Sequence, residues 1–232
     1  MPALTLTTDR LVLRRFTPDD AGFIYELFSH EDEMRFVPAG PMASEADALA
    51  FLEKEYLRWY RAADAGERGK HDTPLDLRFA ICLKDGAAAN SGAAASDGAA
   101  AGGDTAADGA EPAGAPIGYV NIDSQNDALD LGYGLSPAHW RRGYVAEAAR
   151  AFIEAAQSAG FPFVTATHDV LNPHSGYVMQ RLGMTYRYTY REHWMPRDID
   201  VDFRLYQIDF APDAETYRAS WERYPLHWVE TL

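Results

Sequence analysis

Two strand-like segments in the second half of the chain are each followed directly by a helical segment, and this succession constrains the fold more than any other feature. An apolar run at 129–135 precedes a helical pattern from about Gly143 to Ala159. A second run at 163–170 precedes a helix opened by Asn172. Strands joined by a helical crossover lie parallel in one sheet. Both helices therefore begin at the same end of the sheet, where open α/β sheets bind ligands.

The remaining segments extend this unit into a larger sheet. Helices are predicted after Thr17 and Ser44, each followed three residues later by an Asp that can close a capping box. Further strands are predicted at 4–16, 77–83, 117–123, 185–191 and 202–210, with a wide loop between the last two. We therefore predict a single α/β domain over residues 1–232, with a central mixed, twisted sheet of about seven strands and helices on both faces.

Residues 86–115 do not fit this pattern. They consist almost entirely of Ala, Gly, Ser, Asp and Thr, with no aromatic side chain. Such a segment cannot bury enough apolar surface to offset the entropy of ordering it. We expect a disordered insertion in the loop between two neighbouring strands, because the part before it carries too few strands to close a core of its own.

Charge, histidine and cysteine content exclude several functional classes. The formal net charge is −14, which repels phosphate backbones, so no nucleic-acid partner is expected. The same charge either attracts cationic molecules or serves solubility alone. Cys82 is the single cysteine and lies in an apolar run, which favours a buried thiol. His168 and His174 have no evident third ligand, so no metal site is expected. With no signal peptide and no membrane span in the sequence, we expect a cytoplasmic protein without a membrane partner.

The turn before the long helix carries a pattern typical of anion binding. Arg141 and Arg142 precede Gly143, which lets an anion approach the backbone closely. The first backbone N–H groups of a helix and its dipole add to such a site. An ordinary basic turn at a helix start is the alternative. The segment is neither a Walker motif nor a dinucleotide fingerprint, because the required lysine and glycines are missing.

The second helix start supplies another pair of candidates. Asn172 is a sound N-cap residue, and capping alone is one explanation of its presence. In the functional interpretation, Asn172 and Ser175 face a ligand from the second strand-to-helix crossover, at the same end of the sheet as Gly143.

Together these motifs resemble the GNAT superfamily of N-acetyltransferases, and the nearest branch is similar to the ribosomal-protein alanine and serine N-acetyltransferases. The resemblance covers nearly the whole chain apart from the insertion and the last twenty or so residues. It rests on Thr8-Asp9-Arg10-Leu11-Val12-Leu13-Arg14, Asp130-Leu131-Gly132-Tyr133, Trp140-x-x-Gly143-Tyr144-x-x-Glu147-Ala148, Asn172-x-x-Ser175 and Leu182-Gly183-Met184.

The resemblance implies a site for acetyl-CoA. Its pyrophosphate would lie on the backbone of Arg141, Arg142, Gly143, Tyr144, Val145 and Ala146, although Val145 stands where a smaller residue is usual. The pantetheine arm would run beside Tyr133 and Leu135, with the Leu135 N–H polarising the thioester carbonyl. Asn172 and Ser175 would face the cofactor from the second crossover.

The resemblance also implies two catalytic candidates. The position that many GNAT enzymes fill with a tyrosine acid is Met179 here, and Ser175 lies one helical turn earlier as its substitute. Asp130 stands where this branch usually has Glu. It either orients or deprotonates the amine through water, or serves structure by pairing with Arg141 or a neighbouring strand.

The predicted activity is direct transfer of acetyl from acetyl-CoA to a primary amine, carried by a small molecule or a peptide N-terminus. A non-catalytic acyl-CoA sensor and an enzyme for longer acyl-CoA are the alternatives. The aromatic tail at 212–232, with Tyr217, Trp221, Tyr224 and Trp228, either packs on the domain, forms a homodimer contact or lines the acceptor pocket.

Overall fold

A nine-stranded sheet forms the centre of the protein in a computed structural model that describes residues 4–30, 33–84 and 114–232. The sheet order is β1-β2-β3-β4-β5-β6-β8-β7-β9. The strands are β1 Leu6–Thr7, β2 Leu11–Arg14, β3 Arg78–Leu83, β4 Pro116–Asp123, β5 Asp130–Leu135, β6 Phe163–Asp169, β7 Thr185–Trp194, β8 Ile199–Asp209 and β9 His227–Trp228. The α-helices are α1 Ala21–Phe28, α2 Glu45–Leu52, α3 Arg58–Asp64, α4 Tyr144–Ser158, α5 Pro173–Arg181 and α6 Ala219–Arg223, with a π-helical turn between α2 and α3.

Helices cover both faces of the sheet, as predicted, and β3 shows why. Its alternate side chains Phe79 and Ile81 point into a core shared with α4 and α5. The intervening Ala80 and Cys82 point into a second core, formed with α1, α2 and the turn that follows α2. Because side chains alternate along a strand, the unbroken apolar run from Phe79 to Leu83 must be buried on both faces.

The pairing of β5 with β6 positions the candidate site. These two strands are parallel, and their register places Asp130 beside Thr165. The other pairs in the sheet run antiparallel. Beyond Asp130 and Thr165 the two strands separate, and the helices that follow them, α4 and α5, both begin at the open end.

Several local predictions are confirmed. The Thr17 N–H donates to the Asp20 carboxylate at 2.8 Å, which closes the first capping box. Ser44 Oγ accepts from the Asp47 N–H at 3.2 Å. Gly160 follows α4 with φ of 87°, a conformation that glycine adopts without strain.

Two strand predictions were wrong in detail. The single strand expected over 4–16 is a hairpin of β1 and β2, with a turn at 8–10. The wide loop expected between the two closing strands is a short turn at 195–198, because β7 and β8 continue pairing as far as Trp194 and Ile199. The sheet therefore has nine strands rather than about seven, and the additions are the short β1 and β9.

The aromatic tail packs on the domain. Strand β9 pairs with β7, Trp221 contacts Tyr188 edge-on, and Tyr224 stacks on Tyr190 with ring centroids 4.9 Å apart. The first of the predicted roles for the tail is therefore what the structure shows. The predicted insertion falls almost wholly outside the described residues, although β3 and β4, which it joins, are neighbours as expected.

In the described part of the chain, no helix is both long enough and apolar enough to cross a membrane.

Candidate active site

The turn that leads into α4 combines two left-handed residues with a helix start. Arg141 and Gly143 both adopt left-handed conformations, with φ of 61° and 79°. Gly143 is the N-cap of α4, so the N–H groups of residues 144–146 have no partner within the helix. The Trp140 indole donates to the Leu135 carbonyl at 2.7 Å and fixes the turn against the end of β5. The exposed side chains of Arg141 and Arg142 flank these N–H groups.

An ionic anchor holds this turn against the N-terminal hairpin. Glu147, in the first turn of α4, accepts from Thr8 Oγ1 at 2.6 Å and from Arg10 Nε at 2.7 Å. Arg10 also donates to the Arg142 carbonyl at 3.0 Å and lies over the Tyr144 ring. Burial opposes ionisation of Glu147, but the hydrogen bonds from Thr8 and Arg10 outweigh it and lower the pKa of this carboxyl.

The Tyr144 side chain is buried beneath this turn. It is 1% exposed and belongs to the core. Of the residues predicted to contact the cofactor, Tyr144 therefore offers its backbone N–H and not its ring. Val145 packs partly against the same core.

Backbone N–H groups line the opening between β5 and β6. The Ser136 N–H donates to Ile117 on β4 at 2.8 Å. Because alternate residues of a strand point their N–H groups to opposite sides, those of Tyr133 and Leu135 point away from β4, towards β6. At this level β6 has already separated from β5, so both N–H groups face the opening.

Tyr133 and Ser175 meet across this opening. The Tyr133 hydroxyl lies 2.8 Å from the Ser175 carbonyl oxygen and 2.9 Å from Ser175 Oγ. A phenol has one hydrogen, so both contacts are satisfied when Tyr133 donates to the carbonyl and accepts from the serine hydroxyl. Burial raises the pKa of Tyr133 well above its ordinary value, which keeps it protonated.

The start of α5 is arranged as the sequence predicted, with one exception. Asn172 is at the N-cap position and Pro173 is the first helical residue, but the Asn172 side chain makes no capping hydrogen bond. Gly176 allows α5 to lie directly on β6, since a Cβ there would come within 2.6 Å of His168 Nε2. His168 is buried in this contact, whereas His174 is exposed beside Tyr177.

Asp130 lies on the opposite face of β5, at the far end from the helix starts. It is half-buried, and its Oδ1 is 3.4 Å from Thr165 Oγ1. Its contact is thus with a neighbouring strand, one of the two structural partners predicted, and not with Arg141. Burial, together with the nearby charge of Asp123, raises the pKa of the Asp130 carboxyl to about 7.

Two glycines continue this face of β5 beyond Asp130. Gly132 and Gly134 follow it on β5, and they leave room for the side chains of Asn121 and Tyr119 on β4. A Cβ at Gly134 would come within 2.4 Å of the Tyr119 ring. On this face of β5, an acidic group is therefore followed by two positions whose space the Asn121 and Tyr119 side chains fill.

Comparisons with known proteins agree with this geometry. The family model described as "Acetyltransferase (GNAT) domain" matches residues 10–185. The chain belongs to the GNAT acetyltransferase family. The matched residues include both crossover motifs and end at the start of β7. The closing hairpin and the aromatic tail therefore lie outside the match.

Relatives of this GNAT acetyltransferase are distant in sequence. YoaA of Bacillus subtilis (strain 168), an uncharacterized N-acetyltransferase, is 22% identical over 204 residues, which cover 88% of this chain and 95% of YoaA. A candidate ribosomal-protein-serine acetyltransferase from Vibrio cholerae superposes with a TM-score of 0.60 at 16% identity, over 90% of this chain and 99% of that one. YncA, a candidate acetyltransferase from Salmonella typhimurium solved with its cofactor acetyl-CoA, gives a TM-score of 0.56 at 14% identity, over 89% and 98%.

The predicted site residues of this acetyltransferase fall into two groups. Tyr133, Leu135, residues 141–146 and Ser175 surround the open end of β5 and β6. Asp130 is five residues before Leu135, about 16 Å along an extended strand, and about 10 Å from Tyr133. The Asp130 carboxyl and the Leu135 N–H are therefore too far apart to contact the same atom.

Sequence reasoning missed three features of the site. Thr8, Arg10 and Glu147 belong to the motifs that carry the resemblance, but the sequence did not show that they anchor the helix start. It did not foresee the contact of Tyr133 with Ser175, and it did not single out Asp123. A signal existed for the first feature only, since the paired charges of Arg10 and Glu147 were visible in the quoted motifs.

Proposed function

We propose that this GNAT acetyltransferase transfers an acetyl group from acetyl-CoA directly to a primary amine. The observation that carries the proposal is the position of the α4 helix start beside the β5–β6 opening, where Tyr133 and Ser175 meet. The α4 helix start, the N–H groups of Tyr133 and Leu135, and the hydroxyl pair of Tyr133 and Ser175 all lie around this opening. The acetyl-CoA complex of the Salmonella typhimurium neighbour supports the choice of co-substrate.

The residues present suit the chemical groups of acetyl-CoA. Residues 144–146 offer backbone N–H groups at a helix start, and Arg141 and Arg142 add positive charge, which together match a pyrophosphate. Gly143 adopts a left-handed conformation that favours glycine, and its lack of a side chain leaves these N–H groups accessible. The opening between β5 and β6 suits a narrow chain such as pantetheine, whose amides need backbone partners.

Bound acetyl-CoA would supply the acetyl group and leave as a thiol. In the proposed reaction, the N–H of Leu135 or Tyr133 donates to the thioester carbonyl oxygen and stabilises the charge that develops there. Ser175 turns its hydroxyl hydrogen from Tyr133 to the departing sulfur and donates a hydrogen bond or a proton, and a proton given up is replaced from solvent water. Asp130 receives the proton released by the amine, either directly or through water.

Direct transfer is favoured over a covalent enzyme intermediate by the position of Cys82. Its side chain is fully buried in the core beneath α1 and α2, two strands away from β5. Burial raises the pKa of the Cys82 thiol to about 11, so it does not supply a thiolate at neutral pH.

Acetyl-CoA should bind the folded protein and raise its Tm. At a ligand concentration of about 100 times Kd, the free energy of unfolding rises by about 2.7 kcal/mol. For a chain of this size the rise in Tm is roughly 5–10 °C. Differential scanning fluorimetry with acetyl-CoA, and with adenosine as a control that lacks phosphates, measures it.

Release of free thiol in the presence of amines tests catalysis. The panel comprises a polyamine, an aminoglycoside and short peptides with free N-terminal Ala or Ser, each supplied with acetyl-CoA. Amine-dependent thiol release supports the proposal. A rise in Tm without thiol release from acetyl-CoA or longer acyl-CoA would replace it with the non-catalytic sensor, and release from longer acyl-CoA alone would replace the acetyl donor.

Arg142→Glu should weaken acetyl-CoA binding by roughly 30- to 100-fold, because it removes a charge-assisted contact and adds repulsion at the pyrophosphate. The hydrogen bond from the Arg10 guanidinium to the Arg142 backbone carbonyl can remain in place. Arg150→Glu is the matched control, since Arg150 is exposed on α4 but beyond its first turn. Isothermal titration calorimetry at two salt concentrations gives the affinities for acetyl-CoA. Equal Kd values for the two variants would show that the pyrophosphate does not bind at this turn.

A further inference from the structure

Two carboxyl groups stand directly opposite each other on β4 and β5. The register of β4 and β5 pairs Asp123 with Asp130, so both side chains lie on the same face of the sheet. Side chains paired in this way have Cβ atoms about 5 Å apart, a distance at which like charges repel. One of the two carboxylates therefore has to be compensated by other groups, or protonated.

Asp123 is the compensated member of the pair. Its Oδ1 accepts from Arg78 Nη2 at 3.0 Å and from the Gln125 N–H at 3.1 Å, and its Oδ2 accepts from the Asn126 side-chain amide. The Arg78 guanidinium is buried, with 6% of its side chain exposed. A buried cation and two further donors stabilise the charged form of Asp123.

Asp130 has the opposite surroundings. Among the described residues, its side chain has a hydrogen-bond partner in Thr165 Oγ1, at 3.4 Å. The Thr165 hydroxyl has one hydrogen, and its shorter contact of 2.7 Å directs that hydrogen to the Ala128 carbonyl. Thr165 is therefore at most a weak donor to Asp130, and its small lowering of the Asp130 pKa is outweighed by burial.

The other titratable groups near Asp130 are phenols. Tyr133 lies on the same strand, Tyr190 approaches from β7 and Tyr217 from the segment before α6. The last of these is held in place by Gln207, the register partner of Thr165, whose Oε1 accepts from the Tyr217 N–H at 2.8 Å. Burial is the main cause that raises the pKa of each phenol, and the charge of Asp130 adds to it, so all three are neutral. Asp123, with Arg78 behind it, is the charged neighbour that remains.

We propose that Asp123, held as an anion by Arg78, is a positioning residue that keeps Asp130 able to take up and release a proton near neutral pH. The inference rests on the proposed function, in which Asp130 receives the proton of the amine. A pair of carboxyl groups in such different surroundings divides its roles: Asp123 holds the charge and Asp130 exchanges the proton. The pKa of about 7 for Asp130, raised by burial and by Asp123, agrees with this geometry.

Asp123→Asn should shift the titration of Asp130 to lower pH by about one unit, because the opposing charge is removed while the shape of the side chain is kept. The ¹³C resonance of the Asp130 side-chain carboxyl, followed from pH 4 to 9 in the protein without acetyl-CoA, measures the shift. The ascending limb of kcat/KM against pH, with an accepted amine, should move by the same amount. Asp127→Asn is the matched control, since it removes the same charge from the same hairpin at an exposed side chain paired with Lys70.

An Asp130 titration that is unchanged in Asp123→Asn, or equally shifted in Asp127→Asn, overturns the proposal. A shifted resonance with an unshifted pH profile would instead remove Asp130 from the proposed reaction, so the two failures are distinguishable. If Asp123→Asn does not fold, the wild-type titration decides. We expect the Asp130 resonance to titrate at about pH 7, and a titration in the ordinary range of an exposed carboxyl would overturn the proposal.

Discussion

Replacing Ser175 by alanine should lower kcat by roughly tenfold to a thousandfold, the range for one lost proton donor or transition-state hydrogen bond. The affinity for acetyl-CoA should change little, because alanine removes only the hydroxyl and is a good helix former. Ser175 is in the first turn of α5, where its backbone N–H bonds to the Asn172 carbonyl at 3.2 Å in either variant. Steady-state kinetics with saturating amine separates kcat from the KM for acetyl-CoA.

Ser158→Ala is the matched control for this experiment. It makes the same substitution at the end of α4, where the Ser158 hydroxyl donates to the Glu154 carbonyl at 2.8 Å on the surface. A second comparison uses Tyr133→Phe and the double variant, since Tyr133 Oη and Ser175 Oγ are 2.9 Å apart. If the two hydroxyls act as one unit, the effects on kcat are not additive.

A higher KM for acetyl-CoA with a level kcat would assign Ser175 to cofactor binding alone. That outcome would leave the proposed direct transfer in place but without an acid at this position. Met179 cannot replace it, because its thioether has no proton to donate and its side chain is 1% exposed in the core. The departing thiolate would then take its proton from solvent.

The central crossover could be predicted because its signals are local. Apolar periodicity, the stop at Gly160 and the helix start at Asn172-Pro173 all lie within a few residues of the elements they delimit. The parallel pairing of β5 and β6 follows from the connection between them. These elements carry the predicted cofactor residues, which is why sequence and resemblance placed those residues at one end of the sheet.

The missed elements depend on partners far away in the chain. The turn between β1 and β2 is held by Thr8 and Arg10 bonding to Glu147, more than 130 residues later. The β7–β8 hairpin extends through polar residues that pair across the strands, such as Arg191 with Asp202 and His193 with Asp200. A window of sequence containing only one side of such a pair is typical of a loop.

The same reason explains which part of the site escaped prediction. Resemblance singled out Asp130, yet its chemistry is set by register, since Asp123 faces it across β4 and β5 and Arg78 reaches Asp123 from β3. A single sequence does not specify which residues of two strands stand opposite each other. The roles of the two carboxyl groups therefore became separable only with the sheet in view.

Asp130→Asn should lower kcat/KM at pH 8 by roughly a hundredfold to ten-thousandfold, the contribution of a positioned general base. Asparagine has nearly the same shape and cannot accept the proton of the amine. Because the pKa of Asp130 is raised to about 7, the carboxyl of the wild type is largely ionised at pH 8 and about one-tenth ionised at pH 6. The ratio of kcat/KM between wild type and Asp130→Asn should therefore fall by about tenfold for each pH unit below neutrality.

The same variant should be more stable than the wild type, in the opposite direction to its activity. The pKa of the Asp130 carboxyl is higher in the folded state than in the unfolded state. Its contribution to the free energy of unfolding is therefore lost as pH rises from about 4 towards about 7. Asp130→Asn does not titrate, so its advantage in Tm should be larger at pH 8 than at pH 4. Thermal unfolding at the two pH values, with Asp127→Asn as the control, measures this difference.

A variant that keeps the wild-type pH profile and also gains no stability at pH 8 would show that Asp130 is neither the base nor a desolvated carboxylate. A gain in stability with unchanged kinetics would assign it to structure alone.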